Sequence, residues 1–578
     1  MTDLYIGKID YNEAAIKRFK EEILRKDKEE RFPVEFPSVY IGEVRNGRNS
    51  RDSNLKEAYV GETNWIVQRT LEHLKSTNED KLNQLSKKGQ VLLYIIAHKL
   101  FNKSATLLIE QKFMDYLLGD PKFSGINNGR SNVQPNFYKR EVYEKDIFPT
   151  IWNELHELDI VSSEEVVKNS TLFANSPFKS LSNAQLEAKE QIIMSIDKKL
   201  KSKSNDAVIL KITGVAGTGK TILLSNIFWD LFKNEHLVQE NGMQHDSSVA
   251  LLVRHEQQLR TYKQIANKLN MRETVFDVPG FISNKKEYDV VLVDEAHLLW
   301  TGNYGRVKKD KWQPDLEAIK RLAKVVVLIY DPNQVVSSKS YLPERVKEEL
   351  NDAEGVQLKQ QWRIQASEET RKYIINLAQF SHNSIVHPPF DENYEIKIFN
   401  SASDMFSKIK QSDNEFGLSR LVATYDWPYS QGNHPKNESK YWMVKTKDGL
   451  QLPWNLQLPE VKQAQKAGNP WQSIPSSLYE VGSNYTVQGA DLNYVGVILG
   501  PSIIYDEKNN SLEIDISKSK DSSAHIKPKS AIEWTEKDIE KNLKNIVNVL
   551  MTRGVKGLYI YADDDNLREK LKKLDLRV

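Results

Sequence analysis

The chain contains no cysteine. That absence excludes disulfides, zinc knuckles and thiol nucleophiles together. It also lacks a charge of one dominant sign: 81 basic residues stand against 79 acidic ones, a formal net charge of +2. A chain that is not polycationic can hold nucleic acid only in a local groove. No long apolar run is present. The longest, Val91 to Ala97, falls far short of the roughly 20 residues that span a bilayer. The opening Met1-Thr2-Asp3-Leu4-Tyr5 has neither a basic n-region nor an apolar h-region, so a cytoplasmic protein with no membrane partner is expected. Disorder is not expected, because 39% of the residues are hydrophobic and the mean hydropathy is −0.57. No internal repeat is visible. At 578 residues the chain is too long for one core, and roughly two to four domains are expected.

Residues 12–31 are charge-dense, with Ile16, Phe19, Ile23 and Leu24 at helical spacing, so 1–36 reads as an N-terminal helical segment. From Pro37 to about 140 the pattern changes to short strands and two helices. Val39-Tyr40-Ile41 and Ala58-Tyr59-Val60 flank a polar Gly/Asn/Arg/Ser stretch and read as a hairpin with a long loop. Helical periodicity covers 65–74 and 104–118, with a buried strand at 91–97 between them. Residues 141–180 read as a connector. From 181 onward apolar, β-branched runs alternate with helical segments, at 207–212, 248–253, 288–293, 324–330, 394–399, 419–424, 494–499 and 557–562. Parallel sheets with crossover helices follow from that alternation. The expected fold class is α/β: a small α+β domain over 37–140, then doubly wound lobes over 181–350 and 351–578. The polar stretches 428–475 and 504–530 are expected as insertions in the second lobe.

Gly214-Val215-Ala216-Gly217-Thr218-Gly219-Lys220-Thr221 satisfies the phosphate-loop pattern, directly after an apolar strand and before an amphipathic helix. Gly214, Gly217 and Gly219 let backbone N–H groups wrap the phosphates of ATP, and the helix N-terminus favours the anion. Lys220 reaches the β and γ phosphates, and Thr221 holds magnesium. Val290-Val291-Leu292-Val293-Asp294-Glu295 is a second strand ending in two carboxylates. Asp294 is expected in the magnesium shell, and Glu295 polarises the attacking water.

Over roughly 181–565 the chain resembles the superfamily 1 helicases. Asp331-Pro332-Asn333-Gln334 resembles the family's third motif, which implies a γ-phosphate sensor at Gln334. Gln361-Trp362-Arg363 resembles the fourth, implying that Trp362 packs on adenine while Arg363 reaches the γ-phosphate. Tyr485-Thr486-Val487-Gln488-Gly489-Ala490-Asp491 resembles the fifth, and Leu550-Met551-Thr552-Arg553 the sixth, with Arg553 as a second arginine finger. Asp491 stands where the fifth motif usually has glutamate, one methylene longer. The resemblance also implies that Gln185 reads adenine, although a polar residue opening a helix is the plainer role. Arg254 and His255 stand where the family holds strand phosphates. The order of motifs and the tryptophan-rich middle (Trp427, Trp442, Trp454, Trp471) most resemble a bacterial helicase-like family of unknown function. Those tryptophans either stack bases or pack an irregular insertion.

Tyr40-Ile41-Gly42 and, 19 residues on, Tyr59-Val60-Gly61 resemble the two signature strands of the GIY-YIG nucleases, with Ser38 where that signature has glycine. The following helix offers Arg69 and His73 on one face, the next offers Glu110, and Asn128 follows in a turn. Phosphodiester hydrolysis needs one divalent ion, hence the carboxylate Glu110. It needs a base, for which the resemblance implies Tyr59 with Tyr40 beside it. It needs a cation against the developing charge, Arg69, and His73 can relay a proton. The combined expectation is an ATP- and Mg²⁺-dependent translocase or helicase fused to a DNA endonuclease. Its partner is single- or double-stranded DNA, with RNA as a further possibility. The resemblance to nuclease–motor fusions implies action on foreign, phage DNA, alone as a homo-oligomer or with defence-system subunits. The alternative is an ATP-gated nucleic-acid sensor that does not translocate.

Overall fold

The computed structural model describes residues 3–575 apart from 46–54, 77–79, 129–136, 203–205, 215–216, 234–247, 301–313, 341–342, 360, 362, 431–432, 434, 436–439, 468, 488–489 and 529–533. Strand-forming runs within them collect into three principal sheets.

The first is mixed. It contains β1 (Leu4–Asp10), β2 (Ser38–Arg45), β3 (Lys56–Thr63), β4 (Leu92–His98) and β5 (Phe123–Asn127), in the order β1-β4-β2-β3-β5. β3 and β5 are parallel and the other pairs antiparallel. The hairpin register sets Tyr40 opposite Gly61 and Tyr59 opposite Gly42. Gly61 is required by close approach: a Cβ there would sit 2.6 Å from the Tyr40 hydroxyl. The helix Lys103–Gly119 packs on one face, with Leu108, Ile109, Phe113 and Leu117 fully buried. The expected helical segment 1–36 is half corrected. Glu13–Leu24 is a helix, but β1 precedes it and pairs with β4 over Leu4 to Asp10. Its short Leu-Tyr-Ile run gives little periodicity of its own, and the pairing with β4 supplies the missing stabilisation.

The second sheet is wholly parallel. β6 (Val208–Gly214), β7 (Val249–Val253), β8 (Val275–Phe276), β9 (Tyr288–Asp294), β10 (Ala323–Tyr330) and β11 (Glu354–Leu358) adopt the order β11-β6-β10-β9-β7-β8. Val290 to Val293 are buried on both faces, as uninterrupted apolar strands of a covered parallel sheet should be. The expected lobe boundary at 350/351 is corrected: β11 pairs with β6 and closes this sheet. Its sequence, Glu354-Gly355-Val356-Gln357-Leu358, is too polar for a central strand but suits an edge.

The third sheet contains β12 (Glu395–Phe399), β13 (Arg420–Ala423), β16 (Leu492–Leu499) and β19 (Gly554–Ala562), in the parallel order β12-β19-β16-β13. Two small hairpins interrupt it, β14 (Met443–Lys445) with β15 (Gln451–Pro453), and β17 (Ile503–Asp506) with β18 (Ser511–Ile514). They fall in the two stretches expected as insertions. Each of the eight strand positions read from 207 onward carries a strand of the second or third sheet.

The expected connector 141–180 is corrected too. Its Phe148, Ile151, Trp152 and Leu155 lie in one continuous core with Val39 of the first sheet and Leu210 of the second. Both fit the rule that apolar helices bury their stripe wherever a sheet face is open. Lys268 donates to the carbonyls of Leu118 and Asp120, each at 3.0 Å, and Asn270 to Asn127 at 2.8 Å. The N-terminal sheet is therefore joined to the second sheet by packing and by hydrogen bonds. No helix of the described residues is long and apolar enough to cross a membrane.

Candidate functional site

β6 ends at Gly214 and the helix Lys220–Phe232 starts after Gly219, which is in the left-handed region at φ 76°. Lys220 Nζ donates to the Gly214 carbonyl at 2.7 Å and lies 3.5 Å from Asp331 Oδ2. Burial pushes the Lys220 amine down from its ordinary value, and Asp331 and Glu295 oppose that. At the end of β9, Asp294 is fully buried. Burial, with Glu295 beside it, holds its carboxyl well above the usual range. Thr221 Oγ1 lies 3.5 Å from Asp294 Oδ1, and Asp294 Oδ2 has no hydrogen-bond partner. A buried carboxylate with one free oxygen beside a hydroxyl is the donor set of a hard divalent cation, so the residues fit magnesium. Glu295 is a non-glycine residue at φ 50°, a strained conformation that turns its carboxylate out of the strand. Its Oε2 is 3.1 Å from His297 Nε2.

Residues from the third sheet's side reach the same place. Arg553 is 1% exposed and its Nη2 donates to Gln334 Oε1 at 3.3 Å, while Gln334 Nε2 donates to Asp331 at 2.8 Å. Burial, then the like charge of Arg363, lowers the Arg553 guanidinium to about 9. Arg363 donates its backbone N–H to the Gly217 carbonyl at 3.3 Å and its Nε to Asp491 Oδ1 at 2.5 Å. Gly217 is at φ 82°, and a Cβ there would stand 2.5 Å from that of Arg363. Asp491, at the fifth-motif position, accepts this bond and so holds Arg363. Gln185 caps its own helix through Ser182 and donates to the Thr218 carbonyl at 3.1 Å, so its amide braces the phosphate loop. Trp362, Gln488 and Gly489 lie outside the described residues.

Two expectations meet different surroundings. The Arg254 guanidinium lies 3.9 Å over the Trp300 ring and 3.8 Å from Asp315, and His255 is half-buried. Both residues keep part of their surface exposed, with Arg254 engaged by that ring and that carboxylate. Among the four tryptophans, Trp454 and Trp471 are fully buried and Trp427 is 7% exposed. Trp427 and Trp442 donate their indole N–H groups to the carbonyls of Lys445 and Asn433. Packing of the insertion accounts for Trp427, Trp454 and Trp471, while Trp442 is half-exposed. Asp331 and Gln361 were missed as site residues. Both stand inside quoted motifs, and only the fold shows that Asp331 faces Lys220 and that Gln361 Nε2 abuts Gly217.

The N-terminal residues also converge. The Tyr40 hydroxyl lies 2.7 Å from His73 Nε2, and His73 Nδ1 lies 2.5 Å from Asp80 Oδ2. The Tyr40 and Tyr59 rings are tilted at 6.0 Å, and the Tyr59 and His73 rings meet edge-on at 5.7 Å. Burial raises the Tyr40 phenol well above its ordinary value, and the Arg69 guanidinium hydrogen-bonded to it pulls the other way. Burial likewise raises Tyr59 to about 12, with Glu110 adding to the rise. Glu110 is raised to about 8 by burial and then by Glu62, while Asn128 Nδ2 donates to it at 3.3 Å. Glu110 and the nearby Glu62 are oxygen donors, the chemistry that a hard divalent ion takes. Among the described residues no three acidic or histidine side chains form a ready metal cage. Asp80 was missed. The signal was present in the helix-capping pattern Asp80-Lys81-Leu82-Asn83.

A parallel six-stranded sheet carrying a phosphate loop, with an acidic strand end beside it and two arginines arriving from a second parallel sheet, defines a P-loop helicase-like protein. Residues 207–564 match the Schlafen group 3 DNA/RNA helicase domain, and the chain belongs to that family. Use of ATP and binding of nucleic acid follow from that membership. An uncharacterized protein of Saccharomyces cerevisiae is 30% identical over 427 residues, covering 68% of this chain and 90% of the yeast protein. Among solved structures the chain is similar to the arterivirus nonstructural protein 10 helicase, at 14% identity and a TM-score of 0.28. The alignment covers 66% of this chain and 64% of the viral one. It is also similar to the PRRSV helicase, at 10% identity and a TM-score of 0.27, over 66% of this chain and 56% of that one. The chain thus spans less than two thirds of either viral helicase.

Proposed function

We propose that the chain is an ATP-driven translocase on DNA whose N-terminal domain is a metal-dependent endonuclease of the GIY-YIG kind. The observation that carries the motor half is the convergence of Arg363 and Arg553, from beyond the first lobe, on Lys220, Asp331 and the phosphate loop. Lys220 offers its charge to the β and γ phosphates once it leaves the Gly214 carbonyl. Thr221 and Asp294 would hold magnesium, which would supply positive charge against the phosphates. Glu295 orients the attacking water, Gln334 senses the γ-phosphate, and the two arginines draw the lobes together around it. Trp362, Gln488, Gly489 and Asp491 are proposed to complete the nucleotide contacts. We propose 181–358 and 359–578 as the two motor lobes, with the boundary moved to follow β11.

The nuclease half rests on the cluster Tyr40, Tyr59, Arg69, His73 and Glu110. Glu110 would hold a divalent ion, which would supply charge stabilisation at the leaving oxygen; Arg69 meets the charge on phosphorus, and the tyrosines take the proton of water. The architectural resemblance points to foreign DNA as the target. Incubating the protein with single-stranded, duplex and branched DNA, with and without ATP and magnesium, tests both halves. Magnesium-dependent cutting together with DNA-stimulated ATP hydrolysis is the expected result. ATP hydrolysis without streptavidin displacement from single strands favours the gated sensor instead. Stronger stimulation by RNA overturns the choice of DNA.

A further inference from the structure

We propose that Asp80 is a positioning residue for the N-terminal site, fixing His73 in the tautomer that accepts a proton from Tyr40. The inference rests on the nuclease reading and deepens it. The geometry forms a line: Asp80 Oδ2 to His73 Nδ1 at 2.5 Å, then His73 Nε2 to the Tyr40 hydroxyl at 2.7 Å. A carboxylate can only accept, so His73 Nδ1 carries the hydrogen and Nε2 presents its lone pair. Tyr40 must then donate its O–H to Nε2, which leaves the phenol oxygen facing Tyr59 and Arg69 as an acceptor. His73 is 2% exposed, and water does not compete for this line.

Asp80 is itself fixed. Its other oxygen, Oδ1, caps the helix Lys81–Ser86 by accepting from the Asn83 N–H at 2.9 Å, and Asn83 Nδ2 donates to the Ser76 carbonyl at 3.0 Å. One carboxylate thus serves two tasks, one through each oxygen. In the step this supports, the water oxygen bonds to phosphorus while the P–O bond to the leaving sugar oxygen breaks. The water's proton passes to the Tyr40 oxygen as Tyr40's own proton moves to His73 Nε2. The imidazolium formed is neutralised by Asp80, and the leaving oxygen takes a proton from solvent. The groups facing this line are Tyr11, Tyr40, Tyr59, Arg69, Glu72 and Asp80.

Asp80→Asn is the discriminating substitution, because asparagine caps a helix as well as aspartate does. A purely structural Asp80 is therefore silent in this variant. In full-length protein we expect single-turnover cutting to fall about tenfold or more at neutral pH, with the melting temperature unchanged. The acidic limb of the pH–rate profile shifts to lower pH, because His73 loses the carboxylate that favours its charged form. In the wild type, ¹⁵N-histidine NMR shows His73 protonated at Nδ1. Cutting by Asp80→Asn at the wild-type rate with an unmoved profile overturns the relay and leaves the nuclease standing, as does an Nε2-protonated His73. A wild-type protein that cuts no DNA with magnesium overturns the nuclease reading itself.

Discussion

The two candidate centres are built in opposite ways. The N-terminal one draws Tyr40, Tyr59, Arg69, His73 and Glu110 from a stretch of 71 residues on a single sheet and the helices covering it. Its polar groups are already engaged with one another. The motor centre draws Lys220, Asp294, Gln334, Arg363 and Arg553 from two sheets and more than 300 residues of chain. Among the described residues the lobes are linked there by Arg363 to Gly217 and Arg553 to Gln334, and beside the site by Asn545 to Val335 and Asn548 to Asn333. A site inside one core is preorganised. A site split across a cleft can be opened and closed by what it binds, as a motor requires.

The largest expected effect separates the centres at their charged heads. Lys220→Ala reduces ATP hydrolysis to background, because the amine beside Gly214 and Asp331 is gone. The N-terminal cluster keeps its residues, so magnesium-dependent cutting persists in a gel assay. A variant that hydrolyses ATP at more than a tenth of the wild-type rate breaks the phosphate-loop assignment. Arg553→Ala tests the split itself. It should slow hydrolysis about a thousandfold, in the range for a lost arginine finger, while nucleotide binding measured by titration survives. Arg553 is buried and its guanidinium donates to both the Val549 carbonyl and Gln334, so a Lys replacement should not restore the rate.

Smaller effects sharpen the comparison. Trp471→Leu should destabilise the third-sheet lobe by about 2 kcal/mol or more, read by thermal unfolding, with affinity for single strands unchanged. Loss of affinity in a protein that still folds returns this residue to the strand-binding surface. The smallest expected effect concerns the contact between the centres. The helix that begins at Lys220 ends beside Lys233, whose Nζ lies 3.4 Å from the Asn128 carbonyl, and Asn128 donates to Glu110. One helix therefore runs from the phosphate loop to the neighbourhood of Glu110. Lys233→Met should weaken the response of cutting to ATP by about fivefold, the lower range of a coupling free energy. An unchanged ATP response leaves the two centres merely adjacent.

What was legible in the sequence follows from the same physics. The parallel strands are apolar on both faces and stand out without any partner in view, so β6, β7, β9, β10, β16 and β19 could be read directly. The phosphate loop and the acidic strand end carry fixed spacings and were as readable. The strands of the principal sheets that escaped are those whose stability comes from a neighbour: β1 beside β4, β5 beside β3, the two-residue β8 beside β7, and the polar edge strand β11. The connector 141–180 escaped because turn residues punctuate it, although its Phe148, Ile151 and Trp152 fill the shared core. Within the sites, residue types could be read but pairings could not. Nothing local says that Asp491 binds Arg363, that Gln185 braces the loop, or that Asp80 backs His73. The tryptophans of 427–471 show the reverse limit, since composition alone cannot tell a stacking surface from a buried one.

The most direct test measures cutting and ATP hydrolysis in the same reactions for wild type and Glu110→Ala, after chelation and magnesium readdition. Two complete centres predict that Glu110→Ala loses DNA cutting to background yet keeps DNA-stimulated ATPase within a few-fold of wild type. A folded Glu110→Ala protein that has lost its ATPase, or one that still cuts like wild type, contradicts the account.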